Sequence, residues 1–326
     1  MIVITGAAGF IGSNFVATLN ARGRHDIAVC DFFESGDKWR NLAKSAFVEF
    51  IPPVLLVDWL RGRRDIDAVI HMGAISATTA LDGDLVMDTN FRLSLALLDY
   101  CTEAQVPLLY ASSAAVYGEG DQGFEDSIAV DDVLRLRPLN LYGWSKRQFD
   151  FVVADRIARG TALPPVCAGL RFFNVFGPNE YHKGSMMSIV AKIAGPISRG
   201  ERITLFKSHR EGIADGDQRR DFINVKDAVE ASLGLLDAGR TGIFNIGTGT
   251  ARSFRELAEA TFTAFGREPA IDYVDMPEEI REKYQYFTQA STDRLRQGGY
   301  AGTFTSLEDN VADYVSAYLS QNDSYR

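Results

Sequence analysis

The sequence predicts an α/β fold, in which a doubly wound parallel sheet carries helices on both faces and a second, smaller α/β domain is interleaved with it. Short apolar runs alternate with amphipathic helical patterns through the first half of the 326 residues. These runs are continuously apolar, as in strands that are buried on both faces. After about Phe173, glycine, proline and charged residues become denser and strand-like segments stand isolated, which indicates the second domain.

The predicted elements follow in chain order. Strands of the first half are expected at residues 2–5, 27–31, 68–71, 108–112 and 166–172. Helices with one apolar face are expected at 13–21, 90–103 and 146–159, the last ending at Gly160 as its C-cap. In the second half, strands are expected at 203–206, 222–225 and 242–246, and helices at 225–238 and 253–265.

Composition excludes several classes of function. A formal net charge of -9 argues against DNA or another nucleic acid as partner. Cys30, Cys101 and Cys167 lie in apolar segments without CxxC spacing, so we expect buried, reduced thiols and no metal site. The chain opens directly into an apolar strand and has no apolar run of about 18 residues, so we expect a cytoplasmic protein that does not associate with membranes.

A glycine-rich turn follows the first predicted strand and opens the first helix, with Gly6, Gly9 and Gly12 at its core. Glycines there permit a tight turn and let the backbone approach a pyrophosphate, which the N–H groups of the helix start then face. This position between strand and helix predicts a dinucleotide site on a Rossmann-type sheet. We expect residues 1–172 with 221–248 to form the dinucleotide-binding domain, and residues 173–220 with 249–326 to form mainly a substrate domain.

The second strand ends at an acid that bears on the choice of cofactor. Asp31 lies where a carboxylate grips a ribose hydroxyl, which favours NAD. Lys38 and Arg40 follow on the same loop and could instead meet the 2′-phosphate of NADP, so both cofactors stay open. Gly73 and Ala74, after the third strand, are expected to approach the adenine-side ribose.

Tyr142 and Lys146 stand four residues apart and so share one face of a helix. A free tyrosine has a pKa of about 10, which is too high for a base at neutral pH. A nearby ammonium and the positive charge of a nicotinamide both favour the phenolate. Ser113, at the end of the fourth strand, can hydrogen-bond the same substrate oxygen. These three side chains therefore predict a site for carbinol oxidation.

The GxxGxxG turn, Ser113 and the YxxxK pair together resemble the extended short-chain dehydrogenase/reductases, the NAD-dependent epimerase/dehydratase family. The R-R-D-F-I-N-V-K-D stretch at 219–227 is similar to another motif of that family. The resemblance implies a nicotinamide-dependent enzyme that acts on a nucleotide-linked sugar, with one arginine on the sugar nucleotide's diphosphate. Arg220 fits that role best, while Arg210 and Arg219 remain alternatives.

Two features of the sequence indicate which of the family's reactions to expect. Family dehydratases carry an Asp-Glu pair after the catalytic Ser or Thr, whereas Ala114 and Ala115 follow Ser113 here, so dehydration is not expected. The H-K-G-S-M run at 182–186, together with segments 111–118, 140–143, 171–178 and 284–290, resembles the subgroup that epimerises ADP-linked heptoses at C6. That resemblance implies conversion of ADP-D-glycero-D-manno-heptose to its L-glycero epimer for the lipopolysaccharide core, with NADP and in a homo-oligomer.

An epimerisation through a ketone needs hydride removal from one face of the carbon and hydride return to the opposite face. Because the cofactor stays on one side, the keto intermediate must reorient, and an acid/base on each side of the pocket serves the two orientations. The resemblance assigns these roles to Tyr142 and Lys183. It assigns to Lys146 the lowering of the tyrosine pKa and a contact with the nicotinamide ribose.

The resemblance also implies two sets of binding residues. Expected cofactor contacts are Gly6, Gly9, Phe10, Ile11, Gly12, Asp31, Phe32, Lys38, Met72, Gly73, Ala74, Ile75, Ser76, Thr89, Lys146, Val175 and Lys183. Expected substrate contacts are Ser113, Asn174, Ser185, Lys192, Phe206, Lys207, Ser208, Arg220 and Tyr284. Lys207 stands where the family pattern has an acidic residue, and the segment after it is longer than is usual.

Two alternatives to the 6-epimerase remain. One is a 4-epimerase of UDP- or dTDP-sugars, which would not need Lys183. The other is a non-catalytic NAD(P)-binding module; such proteins commonly lose the active-site Tyr or Lys, and Tyr142 and Lys146 are both present here.

Overall fold

A computed structural model of the chain describes residues 1–281 and 284–326. Its strands are β1 Ile2–Thr5, β2 Ile27–Cys30, β3 Glu49–Ile51, β4 Ala68–His71, β5 Leu108–Ser113, β6 Cys167–Phe172, β7 Asn174–Phe176, β8 Ile203–Phe206, β9 Arg219–Asn224, β10 Gly242–Ile246, β11 Ala251–Ser253 and β12 Ile271–Val274. Its α-helices are α1 Phe10–Ala21, α2 Leu56–Leu60, α3 Gly83–Met87, α4 Leu93–Ala104, α5 Val130–Arg135, α6 Leu141–Arg159, α7 Ile189–Ser198, α8 Val225–Asp237, α9 Phe254–Ala264, α10 Glu278–Arg281, α11 Asp293–Gln297 and α12 Leu307–Tyr314. Short 3₁₀ or π turns span Lys38–Leu42, Pro53–Leu55, Asp88–Arg92, Ala114–Tyr117, Tyr181–Met186 and Val315–Leu319.

The main sheet has seven strands in the order β10-β6-β5-β4-β1-β2-β3, and every neighbouring pair is parallel. From β1 the chain builds outward to β2 and β3, then crosses back to β4 and builds the other way. The order of strands therefore reverses between β1 and β4, and ligands bind outside the carboxyl ends of strands at such a switch point. The predicted doubly wound sheet is confirmed.

The two faces of this sheet carry separate apolar cores. Ile2 and Ile4 of β1 belong to the core that also contains Phe15 of α1 and Val229 of α8. Val3, which points the other way, packs in the core formed with helices α4 and α6. Because successive side chains of a strand alternate between faces, two apolar cores require the continuously apolar strands seen in the sequence.

The remaining strands form two smaller sheets. In one, β9 lies between β7, to which it is parallel, and β11, to which it is antiparallel. In the other, β8 and β12 pair in parallel. Helices α7, α9 and α12 cover this region, and Val190, Leu257 and Val311 contribute to its own buried core. This is the smaller α/β unit expected from the change in composition.

Several element boundaries differ from the prediction. Helix α1 begins at Phe10, three residues earlier than expected, since Gly9 is its extended N-cap. The helix expected at 90–103 opens with a π turn, in which the buried Asn90 amide holds both backbone groups of Ile75. Strand β9 begins at Arg219 because it pairs with strands on both sides. Strands β3, β7, β11 and β12 were not predicted, since each depends on a distant partner.

The three cysteines are free and buried, as expected. Within residues 1–281 and 284–326, no helix is both long and apolar enough to cross a membrane.

Candidate active site

The glycine-rich turn leaves no room for side chains at two of its glycines. A Cβ on Gly6, whose φ is +64°, would lie 2.6 Å from the backbone nitrogen of Gly73 at the end of β4. A Cβ on Gly12 would lie 2.0 Å from the carbonyl oxygen of Gly6. The start of α1 therefore packs directly against the switch point of the sheet, where its free N–H groups can meet a pyrophosphate. The turn fits a dinucleotide.

Asp31 is tied to the same turn. One carboxylate oxygen accepts the backbone N–H of Ala8 at 2.8 Å, and the other accepts the N–H of Phe32 at 2.7 Å. The Lys38 ammonium also donates to Asp31, at 2.8 Å, and to the carbonyl of Phe32. Lys38 thus neutralises the carboxylate that would otherwise repel a 2′-phosphate. Arg40 instead lies over the ring of Tyr325.

One cavity of about 1150 Å³ runs from the glycine-rich turn to the smaller sheets. This volume exceeds the range of roughly 300–1,000 Å³ for drug-sized ligands, as two bound nucleotides would require. The predicted site residues that line it are Gly6, Gly9, Phe10, Ile11, Gly12, Asp31, Lys38, Met72, Gly73, Ala74, Ser76, Ser113, Tyr142, Lys146, Asn174, Val175, Lys183, Ser185, Lys192, Phe206, Arg220 and Tyr284.

Five of the predicted contacts are not among the residues that line this cavity: Phe32, Ile75, Thr89, Lys207 and Ser208. Lys207 pairs with Asp275, and the backbone N–H of Ser208 donates to Asp215, so both belong to a surface turn. Next to Thr89, Asn90 holds the strand-end loop and also donates to Ser145 on α6. The sequence analysis did not identify Asn90 as a site residue. Its only signal there was a polar side chain at the start of a predicted amphipathic helix.

Helix α6 carries the predicted catalytic pair. Asn140 caps its start by accepting the N–H of Gly143, and Tyr142 and Lys146 follow on successive turns. Burial raises the pKa of Tyr142, whereas the neighbouring Ser113 hydroxyl lowers it. Burial lowers the pKa of Lys146 to about 8, against the opposing effect of Asp150. Burial therefore works against the phenolate, and the positive charge of a bound nicotinamide would act in the opposite direction.

Asp150 anchors this helix to the sheet in a fully buried network. Its carboxylate accepts hydrogen bonds from Arg171 Nε at 2.8 Å, Ser112 Oγ at 2.9 Å and Tyr110 Oη at 3.2 Å. Arg171 also donates to the hydroxyl of Tyr117 at 2.9 Å. Asp150 follows Lys146 by one helical turn and raises its pKa, so the network supports the ammonium. In the sequence, the signal for this network was Asp150 itself, an acidic residue between two phenylalanines on α6.

Lys183 reaches the same cavity from a different element. It sits in the 3₁₀ turn Tyr181–Met186 after β7, and its ammonium lies 5.2 Å from the centre of the Phe10 ring at the start of α1. Gly184 follows with φ +53°, which turns the chain sharply. Burial lowers the pKa of Lys183, while Glu180 raises it. The structure thus brings Lys183 and Tyr142 to one cavity, as predicted.

The far end of the cavity contains a buried arginine. Arg220 packs with its guanidinium 5.2 Å from the Tyr284 ring centre and donates to the carbonyls of Arg219 and Gln285. Burial lowers its pKa, but an arginine stays charged in proteins. Arg219 alternates to the exposed side of β9, and Arg210 pairs with Glu119. Of the three candidate arginines, Arg220 is the one that lines the cavity.

The parallel sheet has a glycine-rich turn at its switch point and a Ser-Tyr-Lys group in the same cavity. Together these features define a nicotinamide-dependent α/β enzyme. The chain belongs to the NAD dependent epimerase/dehydratase family, whose model matches residues 2–247. This confirms the expected family.

Two curated relatives that match the whole chain carry the same enzyme name. The chain is 46% identical to the ADP-L-glycero-D-manno-heptose-6-epimerase of Nitratidesulfovibrio vulgaris strain DP4, over 100% of both chains. It is 43% identical to the enzyme of the same name from Fusobacterium nucleatum subsp. nucleatum, again over 100% of both chains.

Solved structures of two epimerases superpose on this chain over nearly their full length. The ADP-L-glycero-D-manno-heptose-6-epimerase of Helicobacter pylori superposes with a TM-score of 0.79 at 27% identity, covering 97% of this chain and 95% of that one. The Thermus thermophilus UDP-glucose 4-epimerase in complex with NAD superposes with a TM-score of 0.71 at 26% identity, covering 96% and 98%.

Proposed function

We propose that the protein is an isomerase that converts ADP-D-glycero-D-manno-heptose to ADP-L-glycero-D-manno-heptose at C6, as a step in making lipopolysaccharide core precursors. The observation that carries this proposal is that Lys183 and Tyr142, two groups able to exchange protons, line one cavity from different elements. The full-length similarity to enzymes named for this reaction supports it.

In the proposed mechanism, a bound nicotinamide supplies the acceptor and donor of the hydride. Tyr142 Oη takes the proton of the C6 hydroxyl, and Ser113 Oγ hydrogen-bonds the same oxygen. The resulting ketone turns about its exocyclic bond and presents its opposite face. Lys183 Nζ then donates a proton to the oxygen as the carbon is reduced, so net redox change is zero. Lys146, buried one turn beyond Tyr142, supplies positive charge beside the phenol.

We assign the rest of the cavity by its chemistry. The glycine-rich turn, with the backbone at Gly73 and Ala74, would hold the cofactor's phosphates and adenine-side ribose. Arg220 would hold the diphosphate of the sugar nucleotide, because a buried guanidinium suits bidentate phosphate binding. The remaining substrate contacts would come from Asn174, Ser185, Lys192, Phe206 and Tyr284. We accordingly propose that residues 1–172 and 221–248 mainly form a dinucleotide-binding domain, and that residues 173–220 and 249–326 mainly form a substrate domain.

For the cofactor we propose NADP. The ion pair with Lys38 offsets the negative charge of Asp31, and the same ammonium can turn to a 2′-phosphate. NAD is the alternative, because Asp31 would accept a ribose hydroxyl. Mass spectrometry of the nucleotide released on denaturing the protein separates the two. The variant Lys38→Ala should weaken NADP binding more than NAD binding, and equal losses would argue for NAD.

We also propose a homo-oligomer in the cytoplasm. The basis for this proposal is the family resemblance of the H-K-G-S-M run at 182–186. Light scattering of the purified protein tests this, and a monomeric mass would contradict it.

The reaction itself is tested by NMR of purified, NADP-loaded protein with ADP-D-glycero-D-manno-heptose. Appearance of the L-glycero epimer supports the proposal, and an unchanged substrate refutes it. Lys183→Ala should lose most of the rate, whereas Lys44→Ala, at an exposed lysine, should not. Turnover of UDP-galactose that survives Lys183→Ala would indicate a 4-epimerase. Unchanged cellular function of Tyr142→Phe would indicate a non-catalytic binding module.

A further inference from the structure

Glu180 is a fully buried carboxylate three residues before Lys183, on the segment that joins β7 to the Lys183 turn. One of its oxygens accepts the N–H of Gly177 at 3.2 Å, the Ser188 hydroxyl at 2.7 Å and the Tyr314 hydroxyl at 3.2 Å. The other oxygen accepts the backbone N–H of Ser188 at 2.5 Å. The Glu180 side chain therefore links Gly177, before the Lys183 turn, to Ser188, after it, and ties both to Tyr314 on α12.

The four donors to Glu180 are all neutral. Neutral hydrogen bonds stabilise the ionised carboxylate without cancelling its charge. Burial raises the pKa of Glu180 above its ordinary value, although the hydrogen bonds from Ser188 and Gly177 and the charge of Lys183 oppose that rise. In its ionised form, Glu180 therefore carries a negative charge that acts on other groups nearby.

Two ammonium groups of the cavity lie within its influence. Burial lowers the pKa of Lys183 and of Lys192 on α7, and in both cases Glu180 acts in the opposite direction. Lys192 in turn lowers the pKa of Lys183 and donates to the carbonyl of Ser185 on the same turn. The Phe10 ring faces Lys183 from α1, and Tyr142 shares the cavity from α6. Glu180 is the negative group of this cluster.

We propose that Glu180 is a positioning residue for Lys183: it fixes the turn that carries the lysine and supplies the buried negative charge that keeps its ammonium protonated. The kinetic part of this inference rests on the proposed function, in which Lys183 donates a proton to the substrate oxygen. The electrostatic part is a property of the folded chain and is measured without substrate.

The direct test is competitive labelling of lysine amines with trace acetic anhydride across a pH series. Only the unprotonated amine reacts, so mass spectrometry of the Lys183 peptide, normalised to the exposed Lys44, reports how the Lys183 amine titrates in the purified protein. In Glu180→Gln, which keeps the side-chain size and removes the charge, the Lys183 titration should move down by about one pH unit.

Two further variants bracket this result. Tyr314→Phe removes one neutral donor but leaves the carboxylate and its charge, so the Lys183 titration should stay close to that of the unmodified protein. Lys192→Gln removes the competing positive charge and should move the Lys183 titration upward. If Glu180→Gln does not fold, Glu180→Asp takes its place: the shorter side chain draws the charge back from its position, so the Lys183 titration should move down by a smaller amount. The proposal would be overturned if the Lys183 titration in Glu180→Gln, or in Glu180→Asp should the first not fold, were the same as in the unmodified protein.

Steady-state kinetics test the effect of Glu180 on the proposed reaction. In Glu180→Gln the alkaline fall of kcat should begin at lower pH while KM for the sugar nucleotide changes little. Lys146 is the same in both proteins, so a difference between their pH profiles reports the titration of Lys183. If Glu180→Gln changes KM as much as kcat and leaves the pH profile unshifted, Glu180 has a merely structural role. If the protein does not epimerise ADP-heptose at all, the labelling result still tests Glu180 on its own.

Discussion

Replacing Asp150 with alanine should destabilise the folded protein far more than replacing an acid on the outer face of the same helix. Asp150 is the only acid that pairs with Arg171 among the described ion pairs, and neither side chain is more than 1% exposed. Its carboxylate also satisfies the hydroxyls of Ser112 and Tyr110. Asp150→Ala would leave a buried guanidinium without its counter-charge and two buried hydroxyls without their acceptor.

The magnitude follows from that geometry. Breaking a buried ion pair by removing one partner costs about 3–5 kcal/mol, since the remaining charge stays desolvated. The matched control is Asp155→Ala on α6, where Asp155 pairs with an Arg159 that is 72% exposed. An exposed pair contributes about 0–1 kcal/mol. The double variant Asp150→Leu/Arg171→Met should recover much of the loss, because it removes both charges together.

Urea unfolding followed by tryptophan fluorescence measures the free energy of unfolding of all four proteins. A loss for Asp150→Ala within about 1 kcal/mol of that for Asp155→Ala would refute the argument that the pair is buried and uncompensated. A double variant that is less stable than Asp150→Ala would refute the charge explanation and point to packing.

Three further predictions concern the cofactor and the catalytic helix. Gly12→Ala should abolish nucleotide binding in calorimetry because its Cβ would meet backbone 2.0 Å away, whereas Gly83→Ala, with open space around it, should bind normally. Because the pKa of Lys146 is lowered to about 8, its ammonium is lost as pH rises, and kcat should fall through about pH 8; a rate that stays level well above that pH would contradict this. Asn90→Ala frees both backbone groups of the loop after β4 and should raise the cofactor Kd about tenfold, or about 1.4 kcal/mol, and an unchanged Kd would count against it.

Much of the fold could be predicted because its signals are local. The continuously apolar strands, the helical periodicity and the glycines of the first turn each depend on neighbours within a few residues. The pairing of Tyr142 with Lys146 likewise follows from the helical repeat alone. The family resemblance of the H-K-G-S-M run then named Lys183, and the structure brings that residue to the predicted cavity.

Other parts of the site required the tertiary structure. The choice of Arg220 over its neighbour Arg219 depends on which face of β9 meets the cavity, and that is set by pairing with β7 and β11. Lys207 and Ser208 were predicted as substrate contacts from the sequence, but they lie on a surface segment where Lys207 pairs with Asp275 and the Ser208 N–H donates to Asp215.

The sequence by itself determined the class of sheet, the dinucleotide turn and the catalytic pair, since these arise from short-range stereochemistry. Only the tertiary structure decided which buried charged groups support the site residues. Asp150 meets Arg171 on a neighbouring strand, and Glu180 gathers donors from Gly177, Ser188 and Tyr314, the last from a helix more than a hundred residues away. Burial strengthens electrostatic interactions, and burial is a property of the packed chain that no local pattern contains.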